Sequence, residues 1–214
     1  MFVREPSGRG ESFPSNRVVA RLFLKQSVVI NASFGVRGPA GGTSRSGVRP
    51  SGTATGKAAM RQVDGALLLD ELGIDHLKNA SALGALSEQT IAYLMEKGRV
   101  YALRKGERLF EHGGPGDTFF VILKGSFAYY LPSNDHRSYI RDFHFGMEIG
   151  FVSMIALTPR PGTAIATCDS YVLEVTTDLF HSLHYERPLD FGVLLINLCR
   201  ELARRILERQ KSDQ

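Results

Sequence analysis

The sequence predicts a mainly β fold with flanking helices, a sandwich or jelly roll. Between residues 100 and 175, short apolar runs recur at about 8–12-residue spacing. Turn-forming residues separate those runs: Lys105-Gly106, Gly113-Gly114-Pro115-Gly116, Lys124-Gly125 and Pro132-Ser133-Asn134-Asp135. On both sides of this region the hydrophobic period switches from strand-like to helical.

The first helix starts at Ser87, a good N-cap, with Leu86 and Ile91 spaced as a hydrophobic staple. Ile91, Leu94 and Met95 form its apolar face, and Gly98 stands at the expected C′ position. The β runs are Val100 to Leu103, Arg108 to Phe110, Thr118 to Leu123, Ser126 to Leu131, Ser138 to Phe143, Thr163 to Thr167 and Tyr171 to Val175. Helical spacing returns over Asp178 to His184, and Pro188 opens a last helix over 188–209. There Leu195, Cys199, Leu202 and Ile206 share one stripe, which Leu194 and Leu198 widen. Glu201–Arg205 and Arg204–Glu208 are spaced as i,i+4 ion pairs on the other side.

The chain has 214 residues, 43% of them apolar and 22% charged, with a net charge of +4. Residues 1–59 hold nine Lys/Arg against two acids, Glu5 and Glu11, whereas 60–214 hold 17 basic and 20 acidic residues. The basic character therefore belongs to the first 59 residues, and the mildly acidic body argues against DNA as a partner. That Gly-, Ser- and Arg-rich stretch lacks the apolar content to build a core and reads as a disordered or processed tail. It also suits an extension upstream of a start at Met60, an organelle transit peptide, or a basic phosphate-binding arm. No run reaches the ~18 apolar residues of a membrane-spanning helix. Cys168 and Cys199 form no C-x-x-C, which excludes a disulfide scaffold and a zinc ribbon. A reducing compartment is the default, with both cysteines expected to serve packing.

Two stretches carry chemistry. Gly106 to Gly125 combines a strand, a glycine-rich turn, an apolar strand and a tight Lys-Gly turn. Gly146 to Ala166 has a glycine opening a short helical segment at Gly150 and an arginine ten residues on, at Arg160. A helix starting there would aim backbone N–H groups at one point, which the fork of Arg160 and the hydroxyl of Thr163 could share as an anion site.

Together these stretches resemble the cyclic nucleotide-binding domain family, which includes the sensor domains of catabolite-activator-type regulators and the regulatory subunits of protein kinase A. Leu109, Phe110, Gly113, Gly116, Phe120 to Leu123 and Gly125 fit its glycine-turn motif. The resemblance covers about Leu83 to Glu208. It implies an eight-stranded jelly roll, or double-stranded β-helix, with N-terminal helices and a C-terminal hinge helix. Gly150 to Thr163 would be the phosphate-binding cassette. Arg160 falls on the arginine that holds the cyclic phosphate, with Gly150, Val152, Ser153, Gly162 and Thr163 around it. Members that bind cyclic AMP or cyclic GMP follow the cassette glycine with a glutamate that takes the ribose 2′-hydroxyl. Here Phe151 stands in its place, adding bulk near the sugar. Losing that charged hydrogen bond costs roughly 1.5–3 kcal/mol, about 10- to 150-fold in affinity. Glu148, three residues early, is no obvious substitute, and Pro161 removes one amide donor. The Gly-Phe pair resembles the fumarate–nitrate-type branch, whose cluster cysteines are absent.

With residues 210–214 alone following the predicted hinge helix, no helix-turn-helix is expected. His181 and His184 stand i,i+3 on a helix without a third convergent ligand, so no metal is expected. No nucleophile–base signature or paired carboxylates point to an enzyme. The expectation is a cytoplasmic, stand-alone regulatory module that senses a small molecule, either cyclic AMP or cyclic GMP bound weakly or a different ligand. It would pair as a homodimer through helix 188–209, with neither DNA nor membrane as a partner. The alternative is a dimerisation or scaffold module on the same fold that binds no ligand.

Overall fold

The strand Thr118–Lys124 organises the body because both of its faces are buried. Phe119, Val121 and Leu123 point to one apolar cluster, while Phe120 and Ile122 point to another. An apolar run with side chains alternating between faces can serve two cores at once. The computed structural model describes residues 60–133 and 136–212, so the reading of residues 1–59 lies outside the described residues.

In chain order the elements are β1 (Arg61–Val63), α1 (Gly65–Leu72), α2 (Ile74–Lys78), α3 (Glu88–Lys97), β2 (Arg99–Leu103), β3 (Arg108–Phe110), β4 (Thr118–Lys124) and β5 (Ser126–Pro132). They continue as β6 (Arg137–His144), β7 (Glu148–Ile149), α4 (Phe151–Ala156), β8 (Thr163–Ala166), β9 (Ser170–Thr176), α5 (Thr177–Glu186) and α6 (Pro188–Ser212). A five-stranded sheet, β1-β2-β9-β4-β7, faces a four-stranded sheet, β3-β8-β5-β6, and the pairings are antiparallel. One core lies between the sheets and the other between the five-stranded sheet and the helices. This is the expected jelly-roll layout as two sheets rather than a closed barrel. The sequence pattern did not single out β1, α1, α2 or the two-residue β7.

Ser87 caps α3 as expected, its hydroxyl accepting from the Thr90 N–H at 3.2 Å. Gly98 ends that helix with φ at −75°, so the position does not demand left-handed backbone. It demands room: a Cβ there would lie 2.5 Å from Leu173 and 2.6 Å from the Leu94 carbonyl oxygen.

The last helix departs from its sequence reading. Leu194 and Leu198 are buried with Asn197 and Glu201, while Cys199 and Ile206 face outward. Cys168 is exposed as well, so neither cysteine is a packing residue. The expected i,i+4 pairs do not form either. Glu201 pairs with Arg204, Arg205 reaches Glu148, and Glu208 reaches Arg141. The helix turns a polar-studded face to the body, where Arg205 and Glu208 take tertiary partners and Glu201 keeps a neighbour three residues on. Asp190 accepts from the Ser87 N–H at 3.1 Å, from the Ser87 hydroxyl at 2.5 Å and from the Thr90 hydroxyl. Asn197 donates to the carbonyls of Ala82 and Gly84 at 3.3 and 2.7 Å.

Candidate functional site

The short helix expected after Gly150 is α4, Phe151–Ala156. Gly150 is left-handed at φ +99°, and a Cβ there would sit 2.4 Å from Arg160 Nη1. Glycine is thus required both by conformation and by the arginine lying against it. The loop that delivers Arg160 pairs with the glycine-rich turn. Gly113 N–H donates to the Arg160 carbonyl at 2.8 Å, and Arg160 N–H donates to the Gly114 carbonyl at 2.9 Å.

Arg160 is 2% exposed and points inward. Its Nη1 donates to the Gly150 carbonyl at 2.9 Å. Its Nη2 donates to the Thr118 carbonyl at 2.6 Å and the Thr118 hydroxyl at 2.9 Å. The guanidinium lies over the Phe110 ring at 4.5 Å and over Phe120 at 6.0 Å. Each of these acceptors is neutral, and Nε finds no acceptor among the described residues. Burial lowers the Arg160 pKa from its ordinary value, with Asp117 opposing that shift.

An aromatic chain fills the space beside the guanidinium. Phe110 stacks near Phe120 at 6.2 Å and meets Tyr129 edge-on at 6.4 Å, and Tyr129 meets Phe143 at 6.1 Å. Gly162 is squeezed under this chain: a Cβ there would lie 2.6 Å from the Tyr129 hydroxyl and 2.3 Å from the Tyr130 carbonyl.

The remaining expected site residues divide. Phe151 does not border Arg160. It is 2% exposed and packs edge-on against Phe119 at 5.5 Å and Phe180 at 6.1 Å, in the core shared with the helices. The bulk beside Arg160 comes instead from Phe110 and Tyr129. Val152 is 50% exposed on the outer face of α4, whereas Ser153 is buried. Thr163 is buried, and its hydroxyl accepts from the His112 N–H at 3.2 Å. It lines an open recess of about 260 Å³ with Glu111, His112, Pro132 and Arg137, whose walls do not include Arg160. Pro161 lacks an amide proton, and its carbonyl lies 3.1 Å from His112 Nδ1. The structure therefore brings Gly150 and Arg160 together, sets Gly162 against Tyr129 and Tyr130, and sends Phe151, Val152 and Thr163 elsewhere.

Three participants were not among the expected site residues: Thr118, Phe110, which was noted only as part of the glycine-turn motif, and Tyr129. Tyr129 had a signal, since it shares a strand face with Phe127, which is buried between the sheets. Thr118 had none beyond standing at the start of a strand. Glu148 is fully buried and accepts from the Phe151 N–H at 3.1 Å, so the first amide of α4 is already bonded. Burial raises its pKa above the usual carboxylate value, with Arg205 and the Phe151 N–H working against that rise. His181 and His184 meet Tyr185 edge-on, and His184 also meets Phe191 edge-on.

Two facing antiparallel sheets, a glycine-opened cassette helix, a buried cassette arginine and a long C-terminal helix define the class: a cyclic nucleotide-binding domain. Residues 100–186 match the model of the cyclic nucleotide-binding domain family. The chain resembles a cyclic nucleotide-binding domain from Methylobacillus flagellatus KT at 25% identity and a TM-score of 0.61, over 70% of this chain and 84% of that one. Two further likenesses concern the fold alone. The catabolite activator protein of Thermus thermophilus is 18% identical with a TM-score of 0.53, over 62% of this chain and 61% of that one. The regulatory domain of Toxoplasma gondii protein kinase A, in complex with cyclic AMP, is 17% identical with a TM-score of 0.53, over 66% and 52%. In sequence, 86 residues are 24% identical to lysophospholipase NTE1 of Cryptococcus neoformans var. neoformans serotype D. The match takes in 40% of this chain and 5% of that protein. No helix among the described residues is long and apolar enough to cross a membrane.

Proposed function

We propose that this chain is a ligand-sensing regulatory module that uses Arg160 to hold the anionic group of a small molecule. The observation that carries this reading is a buried guanidinium bonded only to neutral oxygens, with Nε left over. A buried charge without a directly bonded counter-charge is costly, and a phosphate or carboxylate would supply the missing partner. Phe110 and Tyr129 occupy the room a purine nucleotide needs, so cyclic AMP or cyclic GMP would bind weakly and only by displacing Tyr129.

Calorimetric titration of cyclic AMP and cyclic GMP into the wild-type chain, Arg160→Ala and Tyr129→Val tests this. Saturable heat that Arg160→Ala abolishes and Tyr129→Val strengthens supports the reading. No heat up to millimolar ligand in either the wild type or Tyr129→Val overturns it for cyclic nucleotides. The filled interior favours a second reading, a scaffold on the same fold that binds no ligand, and that outcome would support it.

Under either reading α6 joins two copies of the chain. Leu189, Ile196, Cys199, Ala203 and Ile206 all face outward and follow one another in steps of seven, three, four and three residues, a heptad-like seam. The two exposed free thiols suit a reducing compartment, in keeping with a cytoplasmic protein. Mild oxidation should yield a Cys199–Cys199 cross-linked dimer that Ile206→Glu suppresses. A monomeric sedimentation profile at tens of micromolar would refute the pairing.

A further inference from the structure

A groove of about 190 Å³ opens between α1 and the five-stranded sheet. Val63 of β1, Leu67 and Leu68 of α1 and Tyr171 of β9 give it an apolar lining, to which Asp64 and Glu71 add two acids and no residue adds a base. Its helical wall is held firmly. Asp64 caps α1, accepting from the N–H groups of Ala66 and Leu67 at 2.8 and 3.1 Å. A Cβ at Gly65 would lie 2.0 Å from the Met95 carbonyl oxygen, so the first turn of α1 is pressed onto the end of α3. Leu68 turns into the core, whereas Leu67 beside it is 69% exposed. Lys124 marks the sheet side, its ammonium 6.0 Å from the centre of the Tyr171 ring. Charge stands on α1 where the helix itself disfavours it. Asp70 and Glu71 occupy the last turn, at the negative end of the helix dipole, and that turn has no basic residue. Both are exposed, and none of the ion pairs among the described residues involves either.

We propose that this groove docks a basic amphipathic segment of a partner protein. One apolar side chain of the partner seats against Val63, Leu68 and Tyr171 and extends the surface of Leu67. A Lys or Arg beside it meets Asp70 and Glu71. The apolar anchor, taken out of water in a pocket, supplies most of the attachment. The cation is drawn both by the two carboxylates and by the carbonyl end of α1, which steers the encounter and selects the sign of the partner. The acidic lining repels phosphate, so neither a nucleic acid nor an anionic lipid surface suits the groove. A second copy of the body does not suit it either: residues 60–214 carry 17 basic against 20 acidic residues, and like pairing would set Glu71 against Glu71. Neither Arg160 nor α6 contributes to the lining, so the inference is independent of the ligand reading and of the pairing of copies. It gives a regulatory module the surface on which a target protein is held.

Titrating the full chain with a helical leucine–lysine peptide and with its leucine–glutamate counterpart tests this, read by amide chemical shifts and fluorescence anisotropy. The lysine peptide should shift the amides of residues 63–72 and of Tyr171, bind more weakly as salt rises, and bind more tightly than the glutamate peptide. Asp70→Lys/Glu71→Lys should weaken its binding about tenfold. Leu67→Ala should weaken it about fivefold. Leu207→Ala, at an exposed leucine of α6, should leave it unchanged. Lysines suit the last turn of a helix, so the double variant keeps α1 intact and its effect reads the interaction rather than the fold. The proposal is overturned if no amide within residues 63–72 shifts, if the double variant binds the lysine peptide as tightly as wild type, or if the glutamate peptide binds equally well. Sedimentation of the full chain adds one more way to lose it: a dimer that Leu67→Glu dissolves would assign the groove to a second copy. A null result in the nucleotide titration sinks the ligand reading and leaves the peptide result standing.

Discussion

Two arginines of this domain lie against aromatic rings in its interior, and they are satisfied in opposite ways. Arg205 covers Phe143 and faces the buried carboxylate of Glu148, whereas Arg160 covers Phe110 and faces two carbonyls and a hydroxyl. A guanidinium whose task is to hold two elements together is matched by a fixed charge. One matched only by neutral oxygens keeps its charge available for an anion that comes and goes. Under the proposed function, the difference between the two environments is what separates a structural arginine from a binding one, where residue type alone does not.

The sharpest way to break the comparison is to truncate both arginines to methionine. Arg205→Met should cost about 3–5 kcal/mol in urea unfolding, because it strands Glu148 in the interior. Replacing Glu148 and Arg205 together by Met should recover most of that loss. Arg160→Met should cost only about 1–2 kcal/mol, since what it strands are neutral acceptors. Equal losses for the two single variants would mean that Arg160 is as structural as Arg205.

Asp190 extends the comparison to a carboxylate held by neutral donors. Burial works to raise its pKa, but the hydrogen bonds from Ser87 and Thr90 outweigh that and hold it below the ordinary Asp value. As pH falls, the unfolded chain therefore takes up this proton before the folded one does. The stabilisation is complete above the unfolded pKa of about 3.9 and is lost as pH drops through the folded value. Asp190→Asn should flatten the acid side of the stability profile between about pH 5 and pH 2 while changing the neutral side much less in slope. The smallest effect is expected at its partner. Ser87→Ala removes a helix cap and one donor to Asp190, and a thermal melt should show a loss of about 1 kcal/mol. A loss several times larger would mean that the Asp190 cluster, rather than the cap, fastens α6 to α3.

The β framework was legible because strand burial imposes a two-residue period that survives in a single sequence. All seven expected strands are present, shifted by at most a residue or two at their ends. Caps are local as well, which is why Ser87 and Pro188 marked their helices correctly. The short elements were missed: β7 is two residues long, and α2 is five. Neither repeats its period often enough for the pattern to show. Gly150 and Arg160 were legible as neighbours from motif spacing. The direction of Phe151 was not, because a residue at the start of a six-residue helix can turn to either core. Nor were the partners of Arg205 and Glu208, since helix periodicity reports which residues share a face but not what stands opposite.

The residue order alone determined the strands, the caps, the long last helix and the placing of a glycine and an arginine in one loop. These follow from backbone preference and local period, which act over a few residues. Only the folded chain decided which rings crowd Arg160, that Phe151 joins the other core, and that the last helix spends its charges on the roll. Those outcomes depend on contacts between segments tens of residues apart, and burial leaves no local mark of which distant group each side chain will meet.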